Sequence, residues 1–228
     1  MTECKAIIES IYHGSCVDGE GLRCVVFFSG CNLRCPFCHN PETLYTKGKS
    51  CSVSEVFSDV IRYKNYIKKG GVTLSGGEPF LQSEFCTCLT KKFHDEGIKV
   101  ICETNGLIIN EELISTLDGV RLDIKNQTGE DELALINRYE RFISLCSDYG
   151  VKVTCTNVLC PGINDTNKSL KSLGKFLNYF NLKDGFELLP FKKMCVEKYE
   201  KLGIEFPYNF VPEATDSSIK KALKIIDF

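Results

Sequence analysis

Three cysteines lie close together in the stretch GCNLRCPFCHN, at a C-x-x-x-C-x-x-C spacing. A structural zinc site takes four ligands. His39 is a poor fourth ligand because it follows Cys38 directly, and adjacent residues rarely turn onto one ion. Iron–sulfur clusters normally take four thiolates, so a cluster held by three has one iron open to a small ligand. Cys31, Cys35 and Cys38 therefore favour such a cluster, with zinc or three unrelated core cysteines as the weaker alternatives.

The composition limits the classes of protein to consider. The chain has 228 residues, of which 43% are hydrophobic and 25% charged, and a net charge of -2. It is long enough to bury a full core, and we expect a single α/β domain. Without a long Lys/Arg run, no nucleic-acid partner is expected. No apolar run reaches the length of a membrane span and the N-terminus lacks signal-peptide features, so we expect a cytoplasmic protein without membrane contact.

The chain contains 14 cysteines in all. Their scattered spacing, the chain length and the lack of an export signal favour reduced thiols over disulfides. Outside the group of three, no second ligand set is evident, and most are expected to be small buried apolar residues. These are Cys4, Cys16, Cys24, Cys51, Cys86, Cys88, Cys102, Cys146, Cys155, Cys160 and Cys195.

Short β-rich runs alternate with longer runs of helical periodicity along the chain. This order predicts parallel strands with helices outside them, in an open doubly wound sheet or in a complete or partial barrel. The predicted strands are 22–28, 71–74, 98–102, 119–124, 151–159 and 185–189. The predicted helices are 53–69, 83–97, 110–117, 129–150, 167–180 and 216–226.

Polar segments follow five of these strands: SGGEP at 75–79, ETNG at 103–106, DIK at 123–125, PGIND at 161–165 and LPFKK at 189–193. Each segment alone is typical of a turn. Functional sites of parallel α/β folds collect at the carboxyl ends of the strands. We therefore expect the five segments to converge on one site.

The cysteine loop followed by a Gly-Gly-Glu-Pro turn resembles the radical S-adenosylmethionine (SAM) superfamily. More closely, the chain resembles the glycyl radical enzyme activating enzymes, the family that includes the activase of pyruvate formate-lyase. The resemblance runs from about His13 to the last helix. It rests on segments found in the family's order: VDGEGLRCVVFFSGCNLRCPFCHNPETL, GGVTLSGGEPFLQ, ETNG, LDIK, PGIND and ELLPF.

The resemblance implies a fold and a cluster number. The fold would be a partial (β/α)6 barrel, open on one side, with 1–228 forming one radical SAM domain and 30–41 forming the cluster loop. Larger relatives carry a ferredoxin-like insert between the cysteine loop and the Gly-Gly turn. Here that interval contains only Cys51, so no insert and one cluster are expected.

The resemblance also implies an activity. In the family, SAM bound at a four-iron, four-sulfur cluster is cleaved reductively to a 5'-deoxyadenosyl radical, which removes hydrogen from a backbone glycine of a partner enzyme. This chain would then act on a glycyl radical enzyme such as pyruvate formate-lyase, as a monomer, with flavodoxin or ferredoxin as electron donor. A monovalent cation near SAM is a further expected ligand.

Residue roles follow from the same resemblance. Cys31, Cys35 and Cys38 would hold the cluster that cleaves SAM. Glycines would let the backbone approach the methionine amino group. An aspartate and a lysine after one strand would bind the SAM methionine group, although such a pair is also typical of a solvated strand end. The implied SAM-binding residues are Phe37, Cys38, His39, Gly76, Gly77, Glu78, Glu103, Asp123, Ile124, Lys125 and Lys192.

Four positions depart from the family pattern. Glu20 replaces a proline in the DGPG loop, Glu103 an aspartate, and Thr156 an arginine. Lys192 stands where a histidine that contacts SAM is usual. We expect the Lys192 ammonium to donate to a SAM ribose hydroxyl or carboxylate; the simpler alternative is an exposed strand-end charge.

Other functions remain open from the sequence. The activase of anaerobic ribonucleotide reductase shares the cysteine loop, but the segments PGIND and ELLPF speak against it. A radical SAM enzyme acting on a small molecule, such as the deazapurine-forming synthase, is a second alternative. A redox-inactive iron–sulfur protein is a third, favoured if the four departures abolish SAM cleavage.

Overall fold

The computed structural model describes residues 4–45, 47–126 and 130–227. Its strands are β1 (Lys5–Ser15), β2 (Arg23–Phe28), β3 (Lys49–Ser52), β4 (Gly71–Gly76), β5 (Val100–Thr104), β6 (Gly119–Asp123), β7 (Lys152–Leu159) and β8 (Phe186–Pro190). Its helices are α1 (Val53–Ile61), α2 (Lys64–Ile67), α3 (Ser83–His94), α4 (Glu111–Thr116), α5 (Glu132–Asp148), α6 (Asn167–Tyr179), α7 (Val196–Lys201) and α8 (Asp216–Ile226). Three short 3-10 helices span Pro41–Leu44, Pro79–Gln82 and Lys183–Gly185.

All these strands form one 8-stranded sheet in the order β3-β1-β2-β4-β5-β6-β7-β8. The strands from β2 through β4 to β8 are parallel to their neighbours, and helical segments connect them. The order ends at β3 and β8, so the sheet is open. The predicted α/β architecture, a partial (β/α)6 barrel with parallel strands and outer helices, is confirmed.

Two strands at one edge of the sheet were not predicted. β1 pairs antiparallel with both β2 and β3. In β1 only Ala6, Ile8 and Ser15 are buried, and its pairing with β2 shifts register twice. Such a half-exposed, irregular strand lacks the apolar run by which buried parallel strands are found. β3 has only 4 residues, which is too short for a periodic pattern.

The longer helices bury one apolar face each against the sheet or a neighbouring helix. In α6 the face consists of Leu170, Leu173, Phe176 and Leu177 at helical spacing, and the Thr166 hydroxyl caps the first turn. The predicted helix 53–69 is wrong in its continuity, because α1 ends at Ile61 and α2 begins at Lys64. The short helix α7 was not predicted. No helix in the described ranges is long and apolar enough to cross a membrane.

The described residues form two apolar cores. The larger lies between the sheet and the outer helices. The smaller lies at the carboxyl end of the strands and joins Phe37 of the cysteine loop to the C-terminal segment, where each fully buried aromatic ring contributes about 1.5–3 kcal/mol. Its buried members are Phe37, Cys160, Phe191, Cys195, Tyr199, Phe206, Val211 and Ala214.

The prediction that most other cysteines are buried is confirmed, with three exceptions. Cys4 is half-buried, and Cys16 and Cys88 are exposed. All described cysteines are free thiols. The buried ones are Cys24, Cys51, Cys86, Cys102, Cys146, Cys155, Cys160 and Cys195.

Candidate functional site

A cavity of about 620 Å³ lies at the carboxyl ends of the parallel strands. It is lined by the cysteine loop and by residues that follow or end β4, β5, β6 and β8, as expected for a site at this edge of the sheet. The predicted site residues that line it are Cys31, Cys35, Phe37, Cys38, His39, Gly76, Gly77, Glu78, Glu103, Asp123, Lys125 and Lys192.

The three thiols of the cysteine loop are half-buried and face this cavity. The loop turns tightly, with the Cys38 N–H donating to the Cys35 carbonyl at 3.0 Å. The Leu33 N–H donates to the Cys31 sulfur at 3.4 Å. Burial raises the pKa of Cys31, and that of Cys38 to about 11. Coordination to a metal deprotonates such thiols.

The donor set fits an iron–sulfur cluster. Within the described residues, no three His, Cys, Asp or Glu side chains surround a point where a single metal ion would fit. A four-iron, four-sulfur cube is larger than one ion, so its thiolate ligands stand farther apart. Three free thiols on one cavity, with space beside them, match this requirement.

Helix α7 supports the cysteine loop from behind. Its Lys198 ammonium donates to the Asn40 side-chain oxygen at 2.8 Å and to Glu42 at 2.5 Å. The Tyr199 hydroxyl donates to the Cys38 carbonyl at 3.1 Å. The loop is thus fixed by a helix far along the chain, whose 6 residues gave no periodic signal in the sequence.

The Gly76-Gly77 turn joins β4 to the cysteine loop through the backbone. The Gly77 N–H donates to the Phe28 carbonyl and the Glu78 N–H donates to the Gly30 carbonyl, both at 2.8 Å. A Cβ on Gly77 would overlap the Gly30 carbonyl, and Gly76 has φ +107. Both glycines are therefore required by the close approach of two backbones.

Glu78 is fully buried. Its carboxylate accepts from the Phe80 N–H at 3.1 Å, the Thr104 hydroxyl at 2.7 Å and the Asn105 N–H at 2.9 Å. Burial raises its pKa, and these donors oppose the shift. Glu78 therefore fixes the end of β4 to the end of β5.

Asp123 and Lys125 form an ion pair on the next part of the wall. Burial acts to lower the pKa of Lys125, but the negative charges of Asp123, Cys35 and Cys38 outweigh it and raise the pKa. The ammonium also lies 5.2 Å from the centre of the Phe37 ring. The other Asp123 oxygen, Oδ1, is buried without a hydrogen-bond partner. It is an acceptor available to a ligand.

The Ile124 side chain and the segment 161–165 do not line the cavity, and the predicted contact of Ile124 with SAM stays a prediction. Ile124 is buried in the large core, its N–H donates to Thr156, and its carbonyl accepts from Asn157. Its side chain faces away because residues alternate sides near a strand end. In the segment 161–165, the Asn164 side chain instead bonds to the Cys160 N–H at 2.8 Å and closes the turn after β7.

Lys192 lines the cavity, but its ammonium lies 3.5 Å from Glu213 and its side chain is 39% exposed. Its backbone carbonyl accepts a hydrogen bond from His39 Nε2 at 2.8 Å. This bond fixes the His39 ring. The predicted contact of Lys192 with SAM stays a prediction.

The sequence analysis did not single out Arg121, and it placed Asn105 at the site only as part of the ETNG segment, without a contact for its side chain. Arg121 lines the cavity and pairs with Glu187 at 2.8 Å. Asn105 also lines it and donates to the Asn32 side chain in the cysteine loop at 2.8 Å. The alternation along β6 could have found Arg121, because it stands two residues before Asp123 and so faces the same side.

The remaining departures lie in different places. Thr156 is buried and lines the cavity. Glu20 is exposed and outside the lining, and its carbonyl accepts from Arg23 at 3.3 Å.

Known proteins that are similar to this chain support an iron–sulfur cluster at this site. Residues 17–128 match a family described as a 4Fe-4S single cluster domain. Pyruvate formate-lyase-activating enzyme of Staphylococcus epidermidis is 32% identical over 98% of this chain and 96% of its own. The enzyme of that name from Clostridium pasteurianum is 34% identical over 95% and 94% of the two chains.

Solved structures support the fold. A radical SAM methyltransferase from Sphaerobacter thermophilus matches with a TM-score of 0.59 at 19% identity, over 90% of this chain and 63% of that one. Streptococcus suis SuiB bound to S-adenosylmethionine also gives 0.59, at 15% identity, over 89% and 48%. The chain spans less than two thirds of these longer proteins, and at such identity the likeness concerns the fold alone.

The fold and the three-cysteine loop define a radical SAM protein with one four-iron, four-sulfur cluster. The near full-length relatives define its group further: the chain belongs to the pyruvate formate-lyase-activating enzyme family. It is a radical SAM enzyme of the activating type.

Proposed function

We propose that this chain activates a glycyl radical enzyme of the pyruvate formate-lyase type, which is the partner that its relatives' names indicate. The observation that carries the proposal is that three free thiols, the Gly-Gly-Glu turn and the Asp123–Lys125 pair face one cavity. When bound, the cluster and SAM supply a one-electron cleavage of the sulfonium bond, giving a 5'-deoxyadenosyl radical that takes hydrogen from a backbone glycine of the partner.

In this proposal, Cys31, Cys35 and Cys38 hold the cluster, and the protein fixes the loop that carries them. Hydrogen bonds from Lys198 and Tyr199 hold the loop on one side. The Gly-Gly turn and Asn105 hold it on the other side. A loop tied at both sides keeps the three thiols in position before the cluster binds.

Phe37 and His39 would lie against the adenosyl group. The His39 ring is oriented by the Lys192 carbonyl, so Nε2 carries the proton of that bond. Phe37 is 7% exposed and is anchored in the smaller core. Two rings fixed in this way offer a flat apolar contact without a large loss of side-chain entropy on binding.

The methionine part of SAM would lie by Gly76, Gly77, Asp123 and Lys125. Asp123 Oδ1 is a buried acceptor without a partner, and leaving it unsatisfied costs free energy that a ligand donor restores. Lys125 offers a cation to a carboxylate. The oxygens of Glu78 already accept bonds from the protein, so we assign it the positioning of the turn.

The identity of the partner within its class, the electron donor, and the monomeric and cytoplasmic state stay predictions. A flavodoxin or a ferredoxin is the expected donor. Glu20 belongs to the exposed loop before β2, which is a surface where a peptide of the partner would contact this chain.

Anaerobic reconstitution tests the function. We expect about four irons per chain, as one cube requires, together with formation of 5'-deoxyadenosine from SAM and dithionite. Adding the glycyl radical enzyme from the same genome should give a glycyl radical doublet by electron spin resonance. Cys35→Ala should lose the cluster and all SAM cleavage. The control Cys88→Ala changes an exposed thiol outside the cavity and should keep both.

The outcomes separate the alternatives. A reconstituted chain that forms no 5'-deoxyadenosine is a redox-inactive iron–sulfur protein. Turnover driven by a small metabolite, with no radical on any glycyl radical enzyme of that genome, indicates a small-molecule enzyme. A radical on anaerobic ribonucleotide reductase alone indicates the other activase. About eight irons per chain contradict a single cube.

A further inference from the structure

The carboxylate of Glu103, where a monovalent cation near SAM is expected, already has partners in the protein. Its Oε2 accepts from the Ser75 hydroxyl at 2.7 Å. Its Oε1 lies 3.4 Å from Nη1 of Arg121. Burial raises the pKa of Glu103, and the ion pair with Arg121 opposes this shift. A guanidinium thus stands where a free cation would otherwise neutralise the carboxylate.

Arg121 is held firmly in this place. Its Nη2 pairs with Glu187 of β8 at 2.8 Å, and its Nη1 also donates to the Val17 carbonyl at 2.6 Å. The Arg121 side chain is 16% exposed. It therefore links β5, β6, β8 and the loop before β2, and its three contacts, to Glu103, Glu187 and the Val17 carbonyl, fix a planar guanidinium better than they would a lysine ammonium.

Strand β7, which lies between β6 and β8, leaves room for the Arg121 side chain to reach Glu187. In β7, Thr156 is paired in register with Asp123 on one side and with Glu187 on the other. Thr156 has a short side chain and lines the same cavity. The guanidinium can therefore cross from β6 toward Glu187 without meeting a long side chain from β7.

We infer that Arg121 is the resident cation of this site: it neutralises Glu103 at the cavity wall, so the chain binds SAM without a free monovalent cation. The inference rests on the proposed function for the identity of the ligand. It assigns a charge-neutralising role to an arginine outside the motifs that indicated the site. The Glu103 environment does not fit a free cation, because both carboxylate oxygens already have partners: the Ser75 hydroxyl on Oε2 and the Arg121 guanidinium on Oε1.

The test compares SAM affinity in two salts. The cluster-loaded protein is titrated with SAM under anaerobic conditions, in potassium chloride and in tetramethylammonium chloride, whose cation is too large for the site. Wild-type affinity should be the same within about twofold. Arg121→Met should bind SAM about tenfold more weakly in tetramethylammonium, and potassium should restore most of the loss.

Thallium NMR gives a readout independent of SAM, because Tl⁺ substitutes for potassium. We expect saturable Tl⁺ binding in Arg121→Met. The double variant that also carries Glu103→Gln should lose this binding, and wild type should show none at this site. The matched control is Arg62→Met, which removes an exposed arginine that also pairs with a carboxylate, Asp59, on the outer surface. It should behave as wild type in both salts.

Several results would overturn the inference. One is a wild-type SAM affinity that falls about tenfold without potassium, and another is saturable Tl⁺ binding in wild type that Glu103→Gln abolishes. A third is an Arg121→Met variant with wild-type affinity in tetramethylammonium. If Arg121→Met does not fold, the inference is decided by two measurements on wild type: its SAM affinity in the two salts and its Tl⁺ binding. Failure to bind SAM in any salt contradicts the proposed function instead, and the thallium measurement still decides whether wild type takes a free cation.

Discussion

The two walls of the cavity are built differently. The N-terminal wall, formed by the ends of β2, β4 and β5 with the cysteine loop, is fixed by backbone bonds and by the buried Glu78. The C-terminal wall, formed by the ends of β6, β7 and β8, is fixed by pairs of charged side chains: Asp123 with Lys125, Arg121 with Glu187, and Lys192 with Glu213.

The difference suits the two tasks of the site. A cluster needs three thiols at fixed positions, and the backbone bonds from Gly77 to Phe28 and from Glu78 to Gly30 hold positions with little freedom. Long charged side chains can exchange partners, so a wall built from them can change from one family member to the next. Three of the four departures, Glu103, Thr156 and Lys192, line the cavity, and two of them lie on the C-terminal wall.

The largest expected effect is on the N-terminal wall. Gly77→Ala places a methyl group against the Gly30 carbonyl and separates β4 from the cysteine loop. We expect a loss of about 3 kcal/mol of unfolding free energy, typical of a forced overlap, and poor cluster loading. Urea unfolding and iron analysis measure both.

The control for Gly77→Ala is Gly97→Ala, where a Cβ meets no atom within 4 Å although φ is +69. It should cost about 1 kcal/mol from the left-handed backbone alone, and cluster loading should be unchanged. Equal effects of the two substitutions would mean that the close approach at Gly77 does not fix the loop.

A smaller effect is expected from the ion pair of the C-terminal wall. Asp123→Asn removes the charge that holds Lys125 and one acceptor assigned to SAM, so SAM affinity should fall about tenfold. The cluster spectrum should not change, because the thiols are held by the other wall. Equilibrium dialysis with labelled SAM and the absorption spectrum report the two quantities. The neutral control is Asp148→Asn, which lies at an exposed helix end. If Asp123→Asn binds SAM with the same affinity as this control, Asp123 is not a SAM ligand.

The smallest effect is expected at Lys192. Its ammonium lies 3.5 Å from Glu213 at a partly exposed position, so SAM must compete with this carboxylate for it. Lys192→Ala should weaken SAM binding by less than about tenfold, and Lys192→His should recover much of that loss. Lys193→Ala, whose ammonium donates to the Asn209 carbonyl, is the control. An unchanged SAM affinity in Lys192→Ala would leave Lys192 as a surface ion pair.

Positions that need a particular residue type could be predicted from the sequence. Thiols are required for the cluster, and glycines are required where two backbones meet, so Cys31, Cys35, Cys38, Gly76 and Gly77 carry their role in their identity. The parallel strands were predictable for a similar reason, because a strand buried on both faces needs an uninterrupted apolar run.

Contacts between distant segments were decided by the tertiary structure alone. Helix α7 and Asn105 secure the cysteine loop, and Arg121 reaches Glu103 and Glu187, yet nothing in their local sequences shows which distant groups they contact. Ile124 shows the converse. Its position in the DIK motif suggested the site, but the alternation of side chains near the strand end places its side chain in the larger core. The sequence by itself determined which chemistry the chain can hold, because a thiol or a glycine has no substitute there. Only the folded sheet decided which charged side chains meet around the cavity. The partner of a long charged side chain is a group that the strand order places within its reach.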